Sequence, residues 1–69
     1  MTDLAVQVNG QPRTVEPGTT LAEFVAAEGR GERGSAVAVD GEVVPRVEWP
    51  TYVLAGGAAI EIVVAVQGG

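Results

Sequence analysis

The residues of this chain that are best suited to chemistry lie at its carboxyl terminus. The last four are Val66, Gln67, Gly68 and Gly69, and an alternating apolar segment leads into them. Because glycine has no side chain, a Gly-Gly end is the thinnest and most permissive tail a chain can present. Such a tail fits a narrow channel in which an enzyme activates a carboxylate with a nucleotide. We therefore predict that the domain presents the carboxylate of Gly69, with Gln67 and Gly68 as the partner-binding tail.

Plainer explanations compete with this hypothesis. Disordered termini are often glycine-rich, and an artificially shortened chain would also end in this way. With 10 glycines in 69 residues, two consecutive glycines at the end arise by chance in roughly 2% of cases. Chance is therefore the weaker explanation.

The side chains do not favour catalysis by the chain itself. The sequence contains no histidine, cysteine or lysine, which removes most nucleophiles and general bases. Glu23 and Glu28 are expected on the solvent side of a helix, and Asp40 with Glu42 is too sparse a pair to hold a metal ion. We expect no catalytic residue, no metal site and no bound cofactor.

Glycine-rich and aromatic patterns also have simpler explanations than ligand binding. Gly29, Gly31 and Gly34 match the G-x-G-x-x-G dinucleotide fingerprint. They follow a predicted helix and precede a strand, so no helix amino terminus faces a phosphate there, and we reject that site. Trp49 and Tyr52 lack surrounding basic residues, which favours core packing over base stacking.

Length and composition indicate one small domain. With 69 residues, 46% hydrophobic content and no cysteine, its stability must come from a packed core. The net charge is −5, so the chain lacks the basic surface that is typical of nucleic-acid binding. The negative charge either attracts a positively charged protein partner or maintains solubility. No apolar run suits a membrane span and no secretory signal is recognised, so a cytoplasmic location is expected.

Turn residues predict two hairpins. An alternating strand over residues 4–9 stops at Asn9-Gly10, a strong hairpin signal, and Pro12 places the return strand at a sheet edge. A second strand over residues 36–40 turns at Asp40-Gly41 into a short return strand.

A capping box predicts the one helix. Thr20 and Glu23 have the spacing at which each side chain satisfies the other's backbone amide. Gly29 is placed to end the helix, which gives roughly nine residues. The apolar stripe consists of Leu21, Phe24 and Val25.

The remaining segments complete an α+β domain. Residues 46–51 predict a turn or a single helical turn, and residues 52–54 are expected to pack inward. Gly56-Gly57 then turns the chain into the last strand. One helix across a sheet of four or five strands is an α+β arrangement. The last strand is the most apolar, so we place it centrally beside the first strand.

Taken together, these segments resemble the ThiS family, the small sulfur carriers of thiamine biosynthesis. The pairing of a Val-Pro-Arg block with a Val-Gln-Gly-Gly end is the most specific part of the resemblance. The matching segments are Asn9-Gly10, Thr20-Leu21, Val37 to Arg46, Glu48-Trp49, Ile60 to Val63 and Val66 to Gly69.

The resemblance implies both a fold and a role. The fold would be a ubiquitin-like β-grasp with first and last strands parallel at the sheet centre, residues 1–66 forming the domain and 67–69 a flexible tail. A ThiF-like, E1-like adenylyltransferase would consume ATP to adenylate Gly69. Sulfur from a cysteine desulfurase would then give a thiocarboxylate, which a ThiG-like thiazole synthase would accept.

A docking surface is expected beside the tail. If the isoleucines of the last strand face the helix, Val63 and Ala65 face outward, together with Ala5. These residues and Arg46 form the candidate interface, because apolar residues beside a functional terminus suggest one, although small apolar residues are also common on sheets. The family commonly has acidic residues in the turn at 54–58; here the glycines keep the turn without that charge.

Other functions remain open. A carrier for molybdopterin or cysteine synthesis would share the tail chemistry. A ubiquitin-like modifier would be joined to target lysines through Gly69, and an inert β-grasp binding module would use no tail at all.

Overall fold

The strands and the helix form close to the segments that the sequence predicts. A computed structural model describes residues 2–29 and 35–64, with only the backbone of Val64. In chain order, its elements are β1 (Leu4–Val8), β2 (Gln11–Val15), α1 (Leu21–Ala27), β3 (Ser35–Val39), β4 (Glu42–Val43), a 3-10 helix (Arg46–Thr51) and β5 (Ala59–Val64).

The strands form a five-stranded mixed sheet in the order β2-β1-β5-β3-β4. β5 lies at its centre, parallel to β1 and antiparallel to β3. Gln7 pairs with Ala59 on one side of β5, and Val37 pairs with Ile62 on the other. The α+β fold, the central last strand and the β-grasp arrangement are therefore confirmed.

The helix begins as predicted and is shorter than predicted. Thr20 is its N-cap, and both hydrogen bonds of the capping box with Glu23 are present. It covers seven residues rather than about nine, with Glu28 as the C-cap. The backbone turns left-handed at Gly29, where φ is 74°. The Gly29 amide then donates to the carbonyl of Ala26 at 3.0 Å, which closes the helix.

The core lies between the helix and one face of the sheet. Trp49 is buried there and donates its indole N–H to the carbonyl of Val44 at 2.9 Å, so the packing role expected for it is confirmed. Leu54 is buried and Tyr52 is half-buried, but Val53 is 56% exposed, so inward packing was wrong for that residue. The buried apolar residues are Val6, Val8, Leu21, Phe24, Val25, Val37, Val39, Val44, Trp49, Leu54, Ala58, Ile60 and Ile62.

Glu28 does not lie on an open solvent face as the sequence suggested. Its side chain is 16% exposed and accepts a hydrogen bond from Arg13 Nε at 3.1 Å. Arg13 lies on β2, so this ion pair ties the edge strand to the end of α1. Sequence periodicity placed Glu28 on the helix but could not reveal a cation contributed by a distant strand.

Among the described residues, no helix has both the length and the apolar character required to cross a membrane.

Candidate functional site

The strand that leads to the carboxyl terminus is the central strand of the sheet. β5 has a hydrogen-bonded neighbour on each side, and the side chains of two of its own residues, Ile60 and Ile62, are buried in the core. Its pairing with β3 continues to Val64, opposite Ser35. The predicted site residues Ala65, Gln67, Gly68 and Gly69 lie outside the described residues. The structure therefore defines the base from which the tail departs.

Two turn residues bind β5 with their side chains as well as their backbones. The backbone amide of Asn9 donates to the Ile60 carbonyl at 2.8 Å. Its carboxamide then donates from Nδ2 to the Ile62 carbonyl at 3.2 Å and accepts from the Ile62 amide at Oδ1 at 2.9 Å. Asp40 holds the beginning of the strand, because its Oδ1 accepts from the Ala59 amide at 3.0 Å. Each turn of the two predicted hairpins therefore also fixes the central strand.

The sheet face away from α1 is uncovered by the described elements; we call it the open face. Val63 is 59% exposed on it and pairs with Ala36, while Val43 is 72% exposed and pairs with Ala38. Glu61 supplies the single charge among the outward positions of the described strands. By alternation and register, those positions are Ala5, Gln7, Pro12, Thr14, Ala36, Ala38, Val43, Ala59, Glu61 and Val63.

The four residues of the proposed interface are not all neighbours. Ala5 and Val63 share the open face, but Ala5 accepts a hydrogen bond from Gly57, just before β5 begins. Because β1 runs parallel to β5, Ala5 at the start of β1 lies near the beginning of β5. Val63 lies near the other end of that strand, so the two residues are far apart along the sheet. Arg46 belongs to the 3-10 helix that packs against α1, and its guanidinium stacks over the Trp49 ring at 4.5 Å. Arg46 therefore lies on the helix side of the sheet, away from the open face.

Sequence reasoning missed the residues that surround Val63. Ala36, Ala38 and Val43 come from the second hairpin, and their register brings them beside the last part of β5. Alternation within residues 36–39 gave a detectable signal, because both outward positions there are alanines. What the sequence could not supply was the antiparallel register that places them against Glu61 and Val63.

The turn before β5 forms without the acidic residues that the resemblance leads us to expect. Gly57 has a φ of 84°, and its amide donates to the Ala5 carbonyl at 2.7 Å. Left-handed backbone of this kind favours glycine. The glycine therefore preserves the turn geometry, and Glu61 is left as the nearby charge on the outward face of β5.

The described residues contain no group of three or more acidic, histidine or cysteine side chains able to hold a metal ion. Gly29 lies at the carboxyl end of α1, which is the placement for which the nucleotide fingerprint was rejected, while Gly31 and Gly34 fall outside the described part of the chain. The features that remain for function are β5, the open face and the tail.

Comparison with known proteins agrees with this architecture. No curated protein matches the chain. Among solved structures, a thiamine biosynthesis protein (ThiS) from Geobacter metallireducens is 26% identical, with a TM-score of 0.81. The match covers 96% of this chain and all of that one.

The family model described as "ThiS family" matches residues 6–69. That range begins in β1, passes through the whole sheet and includes the Val-Gln-Gly-Gly end. The chain therefore belongs to the ThiS family of small sulfur carrier proteins.

Proposed function

We propose that this protein carries sulfur on the carboxyl group of Gly69 for thiazole formation in thiamine biosynthesis. The observation that carries the proposal is the family match over residues 6–69, which includes the last four residues. The position of β5 supports it, because the strand that leads to the tail lies between β1 and β3 and stays paired with β3 as far as Val64.

The proposed chemistry uses the carboxylate as the only reacting group of this chain. A carboxylate oxygen of Gly69 attacks the α-phosphorus of ATP on a ThiF-like adenylyltransferase, and pyrophosphate leaves. The terminal sulfur of a persulfide, supplied through a cysteine desulfurase, then attacks the acyl carbon and displaces AMP. A second thiol cleaves the resulting S–S bond, which leaves a thiocarboxylate on the carrier and a disulfide on the donor.

The carrier itself supplies recognition and binds no cofactor in this scheme. Gln67 and Gly68 extend into the partner's channel. A side chain at position 68 would clash with the walls of that channel, and glycine avoids the clash. The open face, with Val63, docks against the adenylyltransferase and later against a ThiG-like thiazole synthase that accepts the sulfur. Because adenylation consumes ATP, we place this reaction in the cytoplasm.

Intact-mass analysis of the protein from its native host tests the proposal. It first establishes the mass of the mature chain, and a carrier then shows a second species in which one oxygen is replaced by sulfur. A matched variant lacking Gly69 should show no such exchange. Higher-mass conjugates joined by isopeptide bonds would instead indicate a protein modifier, and neither species would be expected of an inert module.

Gene deletion identifies the pathway. Loss of the protein should create a thiamine requirement that the wild-type chain relieves and the variant lacking Gly69 does not. A defect in molybdoenzymes or in cysteine synthesis, with normal growth in the absence of thiamine, would contradict the thiazole assignment.

A further inference from the structure

The side chain of Asn9 occupies the place of a missing strand residue beside β5. β1 ends at Val8, and the chain reverses at Asn9 and Gly10, whose φ values are 50° and 83°. Ile62 nevertheless has both backbone groups satisfied on that side, by Asn9 Nδ2 at 3.2 Å and Asn9 Oδ1 at 2.9 Å. The carboxamide thus continues the ladder beyond the last backbone pair of β1.

This arrangement needs asparagine for two separate reasons. The turn requires positive φ, which asparagine tolerates better than most residues and glycine tolerates best. The Ile62 peptide offers one donor and one acceptor, and a carboxamide is complementary to both. Glycine would keep the turn and lose both bonds, while aspartate would keep the bond from the amide and lose the one to the carbonyl.

Asp40 provides an internal comparison. It has the same position in the second hairpin turn and nearly the same φ, 52°. Its side chain makes one bond to β5, from the Ala59 amide at 3.0 Å. Asp40 therefore holds the first residue of β5, whereas Asn9 holds the strand near its end, close to the point where the tail departs.

We propose that Asn9 is a positioning residue for activation of the tail. This proposal rests on the proposed function. By fixing Ile62, the carboxamide sets the direction and register with which the chain leaves the sheet toward its reacting carboxylate. Small errors of position at a reacting group can cost large factors in rate even when binding is unaffected.

The test compares Asn9→Gly with Asp40→Gly in a steady-state adenylation assay. The probe is a purified ThiF-like adenylyltransferase with ATP, and the readout is exchange of labelled pyrophosphate into ATP at varied carrier concentration. We expect Asn9→Gly to lower kcat by about tenfold or more with KM for the carrier unchanged, because the open face is intact. Asp40→Gly should leave both constants near those of the wild type.

Amide hydrogen exchange gives a second readout on the carrier alone. Asn9→Gly should lose protection at the Ile62 amide and keep it at the backbone amide of residue 9, which still donates to the Ile60 carbonyl. Should Asn9→Gly fold too weakly to assay, Asn9→Asp takes its place. That variant keeps one of the two bonds, and we expect an intermediate kcat.

The outcomes separate this inference from the proposed function. Absence of exchange with the wild-type carrier would overturn both. Wild-type exchange with an undiminished kcat for the Asn9 variant would overturn the positioning role alone. Equal loss of kcat in the Asn9 and Asp40 variants would also overturn it, because the effect would then reflect a weaker sheet rather than the tail.

Discussion

Replacing Val63 with alanine tests whether the open face is a docking surface. Val63 is 59% exposed in the free domain, and its side chain faces away from the core. Truncating it leaves the packing under β5 intact. Any large effect on partner binding must then come from area that the partner covers.

The size of the effect follows from the exposed area. A Val→Ala change removes two methyl-sized groups, worth about 1.6 kcal/mol if they pass fully from water into an interface. Since 59% of the residue is available to be covered, the expected loss is about 1 kcal/mol. That energy corresponds to an increase of about fivefold in the Kd of the complex.

Val47→Ala is the matched control, assayed in the same way. Val47 is 86% exposed but lies on the 3-10 helix, which packs against α1 on the other side of the sheet. Titration calorimetry with the ThiF-like adenylyltransferase measures the Kd of each variant, and circular dichroism melts verify folding. We expect an unchanged Kd for Val47→Ala.

The comparison can refute the argument in a definite way. If exposure alone governed binding, Val47→Ala would weaken the complex more than Val63→Ala, because Val47 is the more exposed of the two valines. That order, or equal Kd values for wild type and Val63→Ala, would show that the open face does not dock.

The remaining predictions concern the fold. Trp49→Phe removes the hydrogen bond to the buried Val44 carbonyl and should lower the free energy of unfolding by about 1–3 kcal/mol; urea denaturation measures it, and a loss below about 0.5 kcal/mol would contradict the role assigned to that bond. Gly57→Ala places a side chain at φ 84° and should cost about 1–2 kcal/mol. Gly56→Ala is its control, because the added Cβ meets only an ordinary contact at 3.6 Å; equal losses for the two glycines would show that backbone strain is not the cause.

Local signals in the sequence predicted the elements that depend on neighbours in the chain. Asn9-Gly10 and Asp40-Gly41 gave both hairpin turns, since type I′ geometry demands positive φ at consecutive positions. Thr20 and Glu23 gave the start of α1, because a capping box is completed within one helical turn. The apolar content of the last strand correctly placed it at the centre of the sheet.

Local signals could not predict contacts between distant parts of the chain. Asn9 and Ile62 are 53 positions apart, and nothing local distinguishes a turn asparagine that binds a remote strand from one that only turns. The same holds for Glu28, whose partner Arg13 comes from β2. The position of Ala5 relative to Val63 depends on the register of a parallel pair, which alternation alone does not fix.

The central position of β5 also determines how the domain responds to mechanical force at its carboxyl end. Hydrogen bonds of a ladder run across the strands, so tension applied along β5 beyond Val64 shears the bonds to β1 and β3 together. An edge strand pulled in the same direction would be held by bonds to one neighbour only. An enzyme that draws the tail into a channel therefore pulls on a strand that is held from both sides.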